Sequence, residues 1–175
     1  MKKGKKKGKG SKDKKPLEAT IKPLDKDGDY EDLSGWVSVE YNNDDKLVID
    51  YSIKEGPKRC KDCVLAIYSG KSCDKLWDPY YDTDDNPWTV DEKAVYKTNK
   101  KRRAAGFFKT DNDKSYSENE CKFIVLFDED KSRRRLEDSS AERTLKKSGK
   151  KKKGSKPKKI ACGQLIPENK GKNYC

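Results

Sequence analysis

Histidine is absent from this chain of 175 residues. Its absence removes imidazole as a metal ligand and as a general base, and it excludes Ser/His and Cys/His nucleophilic pairs. Methionine occurs once, at Met1, and hydrophobic residues make up only 31% of the sequence. No apolar run approaches the ~18 residues that a membrane-spanning helix needs, so no transmembrane segment is expected. Lysines follow Met1 where a secretory leader would have an apolar h-region, so none is expected within these residues.

Charge, by contrast, is abundant. At 42% of residues it would by itself point to disorder, but it is unevenly placed. Residues 1–15 carry nine Lys against Asp13, and residues 131–159 carry fourteen Lys and Arg against Glu137, Asp138 and Glu142. With a formal net charge of +12, the remainder is left at −7. The expected organisation is therefore a mildly acidic folded body at 17–167. It follows a disordered basic tail at 1–16, is interrupted by a disordered basic insert at 131–158, and ends in a tail at 168–175.

Within the body the pattern is of short strands between turn residues. LEATIKPL is followed by the turn signal Asp27-Gly28. LSGWVSVEYNN alternates Val37, Val39 and Tyr41 against Ser38 and Glu40. In KLVIDYSIK, after a hairpin turn at residues 42–45, Leu47, Ile49, Tyr51 and Ile53 alternate over four matches. CVLAIYS is apolar on both faces, and a polar loop is expected after it. KAVYKT and RRAAGFFKT are expected to pair as strands about residues 99–101, with CKFIVLF and KIACGQLI completing the set. About eight short, evenly spaced strands and no convincing helix predict an all-β antiparallel Greek-key barrel or sandwich. An immunoglobulin-like sandwich is the competing form.

Six cysteines without histidine point to disulfides over metal. A closed zinc site built of cysteine alone usually takes two close pairs, and only Cys60 and Cys63 have that spacing. An even count in a small β-rich chain fits an oxidising compartment. With no leader in view, the expectation is a secreted, extracellular or cell-wall-associated module of a longer precursor.

CVLAIYSGKSC, KFIVLFDED and KIACGQL together resemble the metal-binding strands and disulfide anchors of copper/zinc superoxide dismutases. That family runs G-x-H-x-H-x-G…C, then G-G-H-Y, V-V-x-H-D and R-x-A-C-G. Ala66 and Tyr68 stand at the first two histidine positions, Phe127 at the last, and Lys159 at the superoxide-guiding arginine. The resemblance implies an eight-stranded Greek-key barrel, with Ala66, Tyr68, Val125 and Phe127 facing outward under the loops and Leu65, Ile67, Ile124 and Leu126 facing in. It implies no copper, zinc or other cofactor, because the imidazoles are missing. It also implies a Cys73–Cys162 bridge, worth ~4 kcal/mol in the chain-entropy model. Cys60, Cys63, Cys121 and Cys175 are left with three pairings, and a bridge from Cys175 to another chain stays open.

Trp77, Tyr80 and Tyr81 are expected to fold over Ala66, Tyr68 and Phe127, as apolar packing or as a small apolar ligand pocket. Two acidic clusters, Asp78 with Asp82, Asp84 and Asp85, and Asp25 with Asp27 and Asp29, have a calcium-like texture. Neither continues to the closing Glu of an EF-hand. The insert offers Lys146, Lys147, Lys150, Lys151, Lys152, Lys153, Lys156 and Lys158 to polyanions. Sulfated polysaccharide, silica, anionic membrane and nucleic acid are the candidate partners, although no aromatic residue interleaves these lysines for base stacking. The Lys/Ser/Gly texture also resembles that of silaffins, silica-precipitating proteins cut at R-x-L, which marks Leu136 and Leu145 as cleavage candidates.

The expected function is a non-enzymatic dismutase-like binding module held to an anionic matrix. A dismutase with atypical ligands and a nonspecific nucleic-acid binder are the alternatives.

Overall fold

The computed structural model describes residues 15–44, 46–89, 93–128, 157–171 and 174–175. Alternation in the sequence becomes strand wherever it was clear. β1 (Leu17–Pro23) buries Leu17, Ala19 and Ile21, and β2 (Ser34–Tyr41) buries Val37 and Val39. β3 (Leu47–Lys54) buries Leu47, Ile49, Tyr51 and Ile53 on one face. Asn42 closes the β2–β3 turn: its side-chain oxygen accepts from the N–H groups of Asp44 and Lys46, both at 2.9 Å.

β4 (Cys63–Ser72) is longer than its apolar core and turns at Cys73 into β5 (Lys75–Pro79). The loop expected there is thus partly strand. β6 (Val95–Tyr96) and β7 (Ala104–Thr110) are followed by a one-turn helix, α1 (Tyr116–Asn119). The expectation of no helix missed the S-x-x-E of Ser115 and Glu118. The Glu118 carboxylate accepts from the Ser115 N–H at 2.9 Å and from its hydroxyl at 2.6 Å. β8 (Phe123–Phe127), β9 (Lys159–Gln164) and β10 (Ile166–Pro167) complete the described elements.

The strands form one antiparallel sheet in the order β5-β4-β8-β9-β1-β2-β3-β7, with β10 against β1 and β6 against β4. The sheet curls into a half-barrel. The concave face holds the core, in which Leu17, Ile21, Leu47, Ile49, Leu65, Ile67, Ile124, Leu126 and Leu165 are almost fully buried. Gly163 lets β9 approach β1 closely, since a Cβ there would collide with the Thr20 carbonyl oxygen.

The expected pairing of KAVYKT with RRAAGFFKT is not made: β6 pairs with β4 and β7 with β3. The link between β6 and β7 is tied elsewhere. The Thr98 N–H donates to the Cys60 carbonyl at 2.9 Å, and the Thr98 hydroxyl accepts from the Cys60 N–H at 2.8 Å. Arg102 donates from Nε to the Gly56 carbonyl at 2.8 Å. These bonds hold residues 98–102 against 55–60, so the hairpin ladder does not close.

Three disulfides join Cys60 to Cys63, Cys73 to Cys162 and Cys121 to Cys175, and no cysteine is free. Cys175 bonds within its own chain, so the bridge to another chain left open above is not made. Cys175 is bonded to Cys121, two residues beyond α1, and the Tyr174 hydroxyl donates to Glu120 at 3.3 Å.

Candidate functional site

The outward face of β4, β8 and β9 carries the residues singled out by the dismutase resemblance. Register places Ala66 opposite Val125 and Val125 opposite Cys162, giving one row across three strands. Side chains of cross-strand neighbours share a face, so the Cys73–Cys162 bond lies on this side and pins the β4–β5 turn against β9. Below it the face is apolar and closed: Ala66, Tyr68, Val125 and Phe127 are all buried.

Two rings close it. Tyr68 and Phe127 come from opposite ends of the patch and meet with centroids 5.8 Å apart. The Lys159 ammonium then lies 4.3 Å from the Tyr68 ring centroid, giving a cation–aromatic–aromatic stack. A bulge between Leu126 and Phe127 brings Phe127 opposite Lys159. Each contact of this kind contributes on the order of 0.5–2 kcal/mol. Burial pushes the Lys159 ammonium below its usual pKa, with Asp78 acting in the opposite direction. Burial, and then the charge of Asp78, pushes the Tyr68 phenol up.

Copper and zinc, the metals of the resembling family, do not fit these residues. Positions 66, 68 and 127 hold a methyl group, a phenol stacked under a lysine and a phenyl ring, with no imidazole among them, and the rings meet each other. Among the described residues no three His, Cys, Asp or Glu side chains converge as a metal site. The two acidic clusters do not converge either. Asp82 is paired with Lys114 at 3.1 Å, and Asp25 accepts from the Asp27 N–H at 3.2 Å to shape its own turn. Asp84 and Asp85 line an open polar cleft shared with Lys46 and Lys109.

The loop aromatics depart from expectation. Trp77 is 56% exposed, because β5 pairs with β4 and turns that ring to solvent. Trp88, not singled out in advance, is the buried indole, and its Nε1 donates to the Tyr80 carbonyl at 3.2 Å. Tyr80 is held by its N–H to the Ile67 carbonyl at 2.8 Å, and its ring lies between Lys114 and Lys122, with ammonium-to-centroid distances of 5.4 and 4.5 Å. Tyr81 is half-buried against the core edge. The patch is therefore covered by its own rings and by Lys159.

Sequence reasoning also missed a buried polar knot. The Asn119 amide donates to the Tyr41 hydroxyl at 2.5 Å, and the Asn112 amide donates to the Asn119 side-chain oxygen at 2.9 Å. Asparagines in a polar loop give no periodic signal. At the rim, the Tyr96 hydroxyl donates to the Phe127 carbonyl at 2.8 Å and the Tyr30 hydroxyl to Asp128 at 2.6 Å.

The basic insert is rooted beside this patch. The Asp128 N–H donates to the Lys158 carbonyl at 2.9 Å, which draws together the two points where the chain leaves β8 and enters β9. Lys158 itself is exposed. Lys146, Lys147, Lys150, Lys151, Lys152, Lys153, Lys156, Leu136, Leu145 and the N-terminal residues 1–14 lie outside the described residues.

No family model, no curated protein and no solved structure matches the chain. Its class is set by its own architecture: an all-β half-barrel bonded by three disulfides. No helix among the described residues is long and apolar enough to cross a membrane.

Proposed function

We propose that the chain is a non-enzymatic, superoxide dismutase-like binding module whose lysine-rich segments hold it to an anionic matrix. The observation that carries this reading is the closed stack of Lys159, Tyr68 and Phe127 over Ala66, at the positions where the resembling family holds its metals. Three further features support it. The chain passes from β3 to the other half of the sheet and returns at β7 beside β3, a connection of Greek-key type. Cys73–Cys162 is the bond that the resemblance implies. Three disulfides suit an oxidising, extracellular setting.

A net-acidic body bearing two dense runs of lysine concentrates its attraction to polyanions in those runs. Sulfated polysaccharide and silica are the favoured matrices. A nucleic acid would be held by charge alone, since no aromatic residue interleaves the insert's lysines.

The test compares the full chain with a variant that lacks residues 2–15 and has a short Gly/Ser loop in place of 131–158. Retention on heparin-like and silica surfaces is measured at ~0.15 M salt, where the screening length is about 8 Å. Loss of retention with an unchanged circular dichroism spectrum is expected. Undiminished retention would place the binding on the body and overturn the proposal.

A further inference from the structure

On the outer face of the sheet a cleft of about 330 Å³ runs between β1, β9 and the β4–β5 turn. Pro23 and Ile166 give it apolar walls, and Cys73 and Cys162, bonded to each other, line it as well. Small-ligand sites span ~300–1,000 Å³, so this one suits a single ring-sized unit. Three observations point to what that unit is.

The first is charge. Lys22 is the one ionisable side chain that lines the cleft. Glu18, further along β1, and Asp74, next to Cys73, are exposed and do not line it. Among the described residues the Lys22 ammonium has no ion pair or hydrogen bond, so its charge is left for an anionic group.

The second is a neighbouring ring. Trp36 is 49% exposed in the middle of β2, opposite Thr20 on β1 and Ser52 on β3. Cross-strand neighbours share a face, with Cβ atoms ~5 Å apart. Both of these neighbours are short, and no described ring packs on the indole. Thr20 also lines the cleft, so cleft and indole adjoin.

The third is a set of hydroxyl partners. The Thr20 and Ser52 side chains make no hydrogen bond among the described residues. The Gln164 amide nitrogen donates to the Cys121 carbonyl at 3.5 Å, which leaves its oxygen as an acceptor in the cleft. A purely apolar ligand would leave these groups unused, and a bare anion would leave the indole uncovered. A sugar chain uses both. The C–H bonds on one face of a pyranose carry partial positive charge and meet the negative face of the indole, while its hydroxyls reach the groups at the ring's edge.

We infer that this cleft binds an acidic sugar unit of a polysaccharide, its carboxylate or sulfate on Lys22, with the adjoining unit stacked on Trp36. Thr20 lies between the two and serves both. The site is on the folded body, apart from the lysine-rich segments, and goes beyond the charge-based attachment proposed above. Those segments attract any polyanion, whereas the cleft distinguishes a glycan from other anions.

The probe is a tetrasaccharide of alternating glucuronic acid and N-acetylglucosamine, added to the isotopically labelled full chain at ~0.15 M salt. The N-acetylglucosamine tetramer is its neutral counterpart, and inorganic polyphosphate is an anion without rings. Millimolar binding is expected, read as amide shifts at 20–22, 36 and 162–164. Trp36→Ala and Lys22→Gln are each expected to weaken it about tenfold, with the amide pattern of the sheet otherwise kept. Phe107→Ala, on another exposed aromatic, is expected to change nothing. The neutral tetramer is expected to bind about tenfold more weakly. Shifts confined to the lysine-rich segments, or no binding at millimolar probe, would overturn the inference. So would unchanged affinity in Trp36→Ala or equal binding of the neutral tetramer. Equal shifts at 36 with polyphosphate would make the cleft a plain anion site and also overturn it. Retention on surfaces tests the lysine-rich segments and these shifts test the cleft, so either reading can fail without the other.

Discussion

The ring of Phe127 lies 5.8 Å from that of Tyr68, and the two meet above the buried methyl group of Ala66. Small residue and large rings are matched: β4 contributes the space and β4 and β8 the rings that fill it. Phe127→Ala is expected to cost ~3–5 kcal/mol, and Ala66→His ~1–3 kcal/mol by overpacking. Guanidinium unfolding midpoints at constant m-value measure both. A loss below about 1 kcal/mol for Phe127→Ala would show that the rings do not close the patch.

Purified protein is expected to carry neither copper nor zinc in stoichiometric amount, and to show no dismutase activity above the free-metal background. The reason lies in side-chain chemistry at positions 66, 68 and 127, where no imidazole is present. Elemental analysis of natively purified protein decides this. Stoichiometric copper, with an activity abolished by a chelator, would overturn the pseudoenzyme reading.

A cut after Leu136 or Leu145 separates a segment containing Cys162 and Cys175 from the rest of the chain. Both of those cysteines are bonded across the cut, to Cys73 and to Cys121. The nicked chain is therefore expected to migrate as one species without reductant and as two with it. The Cys73→Ser variant should still hold together through Cys121–Cys175. In the chain-entropy model each bridge contributes about 4 kcal/mol. Two species without reductant would mean that neither bridge forms.

Alkali above pH ~10 should destabilise the fold, because seven phenols are held neutral in it. Burial pushes the Tyr41 phenol up to about 12, and burial also raises those of Tyr51, Tyr68, Tyr80, Tyr96 and Tyr116. Tyr30 is raised by burial and by its hydrogen bond to Asp128. In the unfolded chain tyrosine ionises near pH ~10. Above that pH the unfolded state holds fewer protons than the native state, so stability falls as pH rises. The contribution is complete below ~10 and is lost as pH climbs through the folded values. Tyrosinate absorbance should lag behind that of the free amino acid and then rise together with loss of near-ultraviolet circular dichroism. Simple ionisation near pH ~10 in the folded protein would contradict this.

How far the sequence reached depends on what each signal reports. Alternation at Leu47, Ile49, Tyr51 and Ile53 gave β3 and its buried face, because period two is a local property of the strand. The S-x-x-E of Ser115 and Glu118 was equally local, although α1 was too short for its periodicity to stand out. Trp77 and Trp88 could not be ranked from the sequence: both sit in a polar stretch, and only the pairing of β5 with β4 turns one out while the other is buried.

By itself the sequence determined the chemistry available to this protein. Without histidine no imidazole site can form, six cysteines can pair completely, and the net positive charge lies outside the region that carries the apolar alternation. Tertiary structure decided partners. It chose Cys60–Cys63 and Cys121–Cys175 from three possible sets. It set Lys159 on the ring of Tyr68, and it left β7 beside β6 without a ladder. The physical reason is that a side chain's periodicity records which face of its own strand is buried. Which strand lies alongside is fixed by contacts between distant residues, such as those of Thr98 with residues 57–60, that no local pattern encodes.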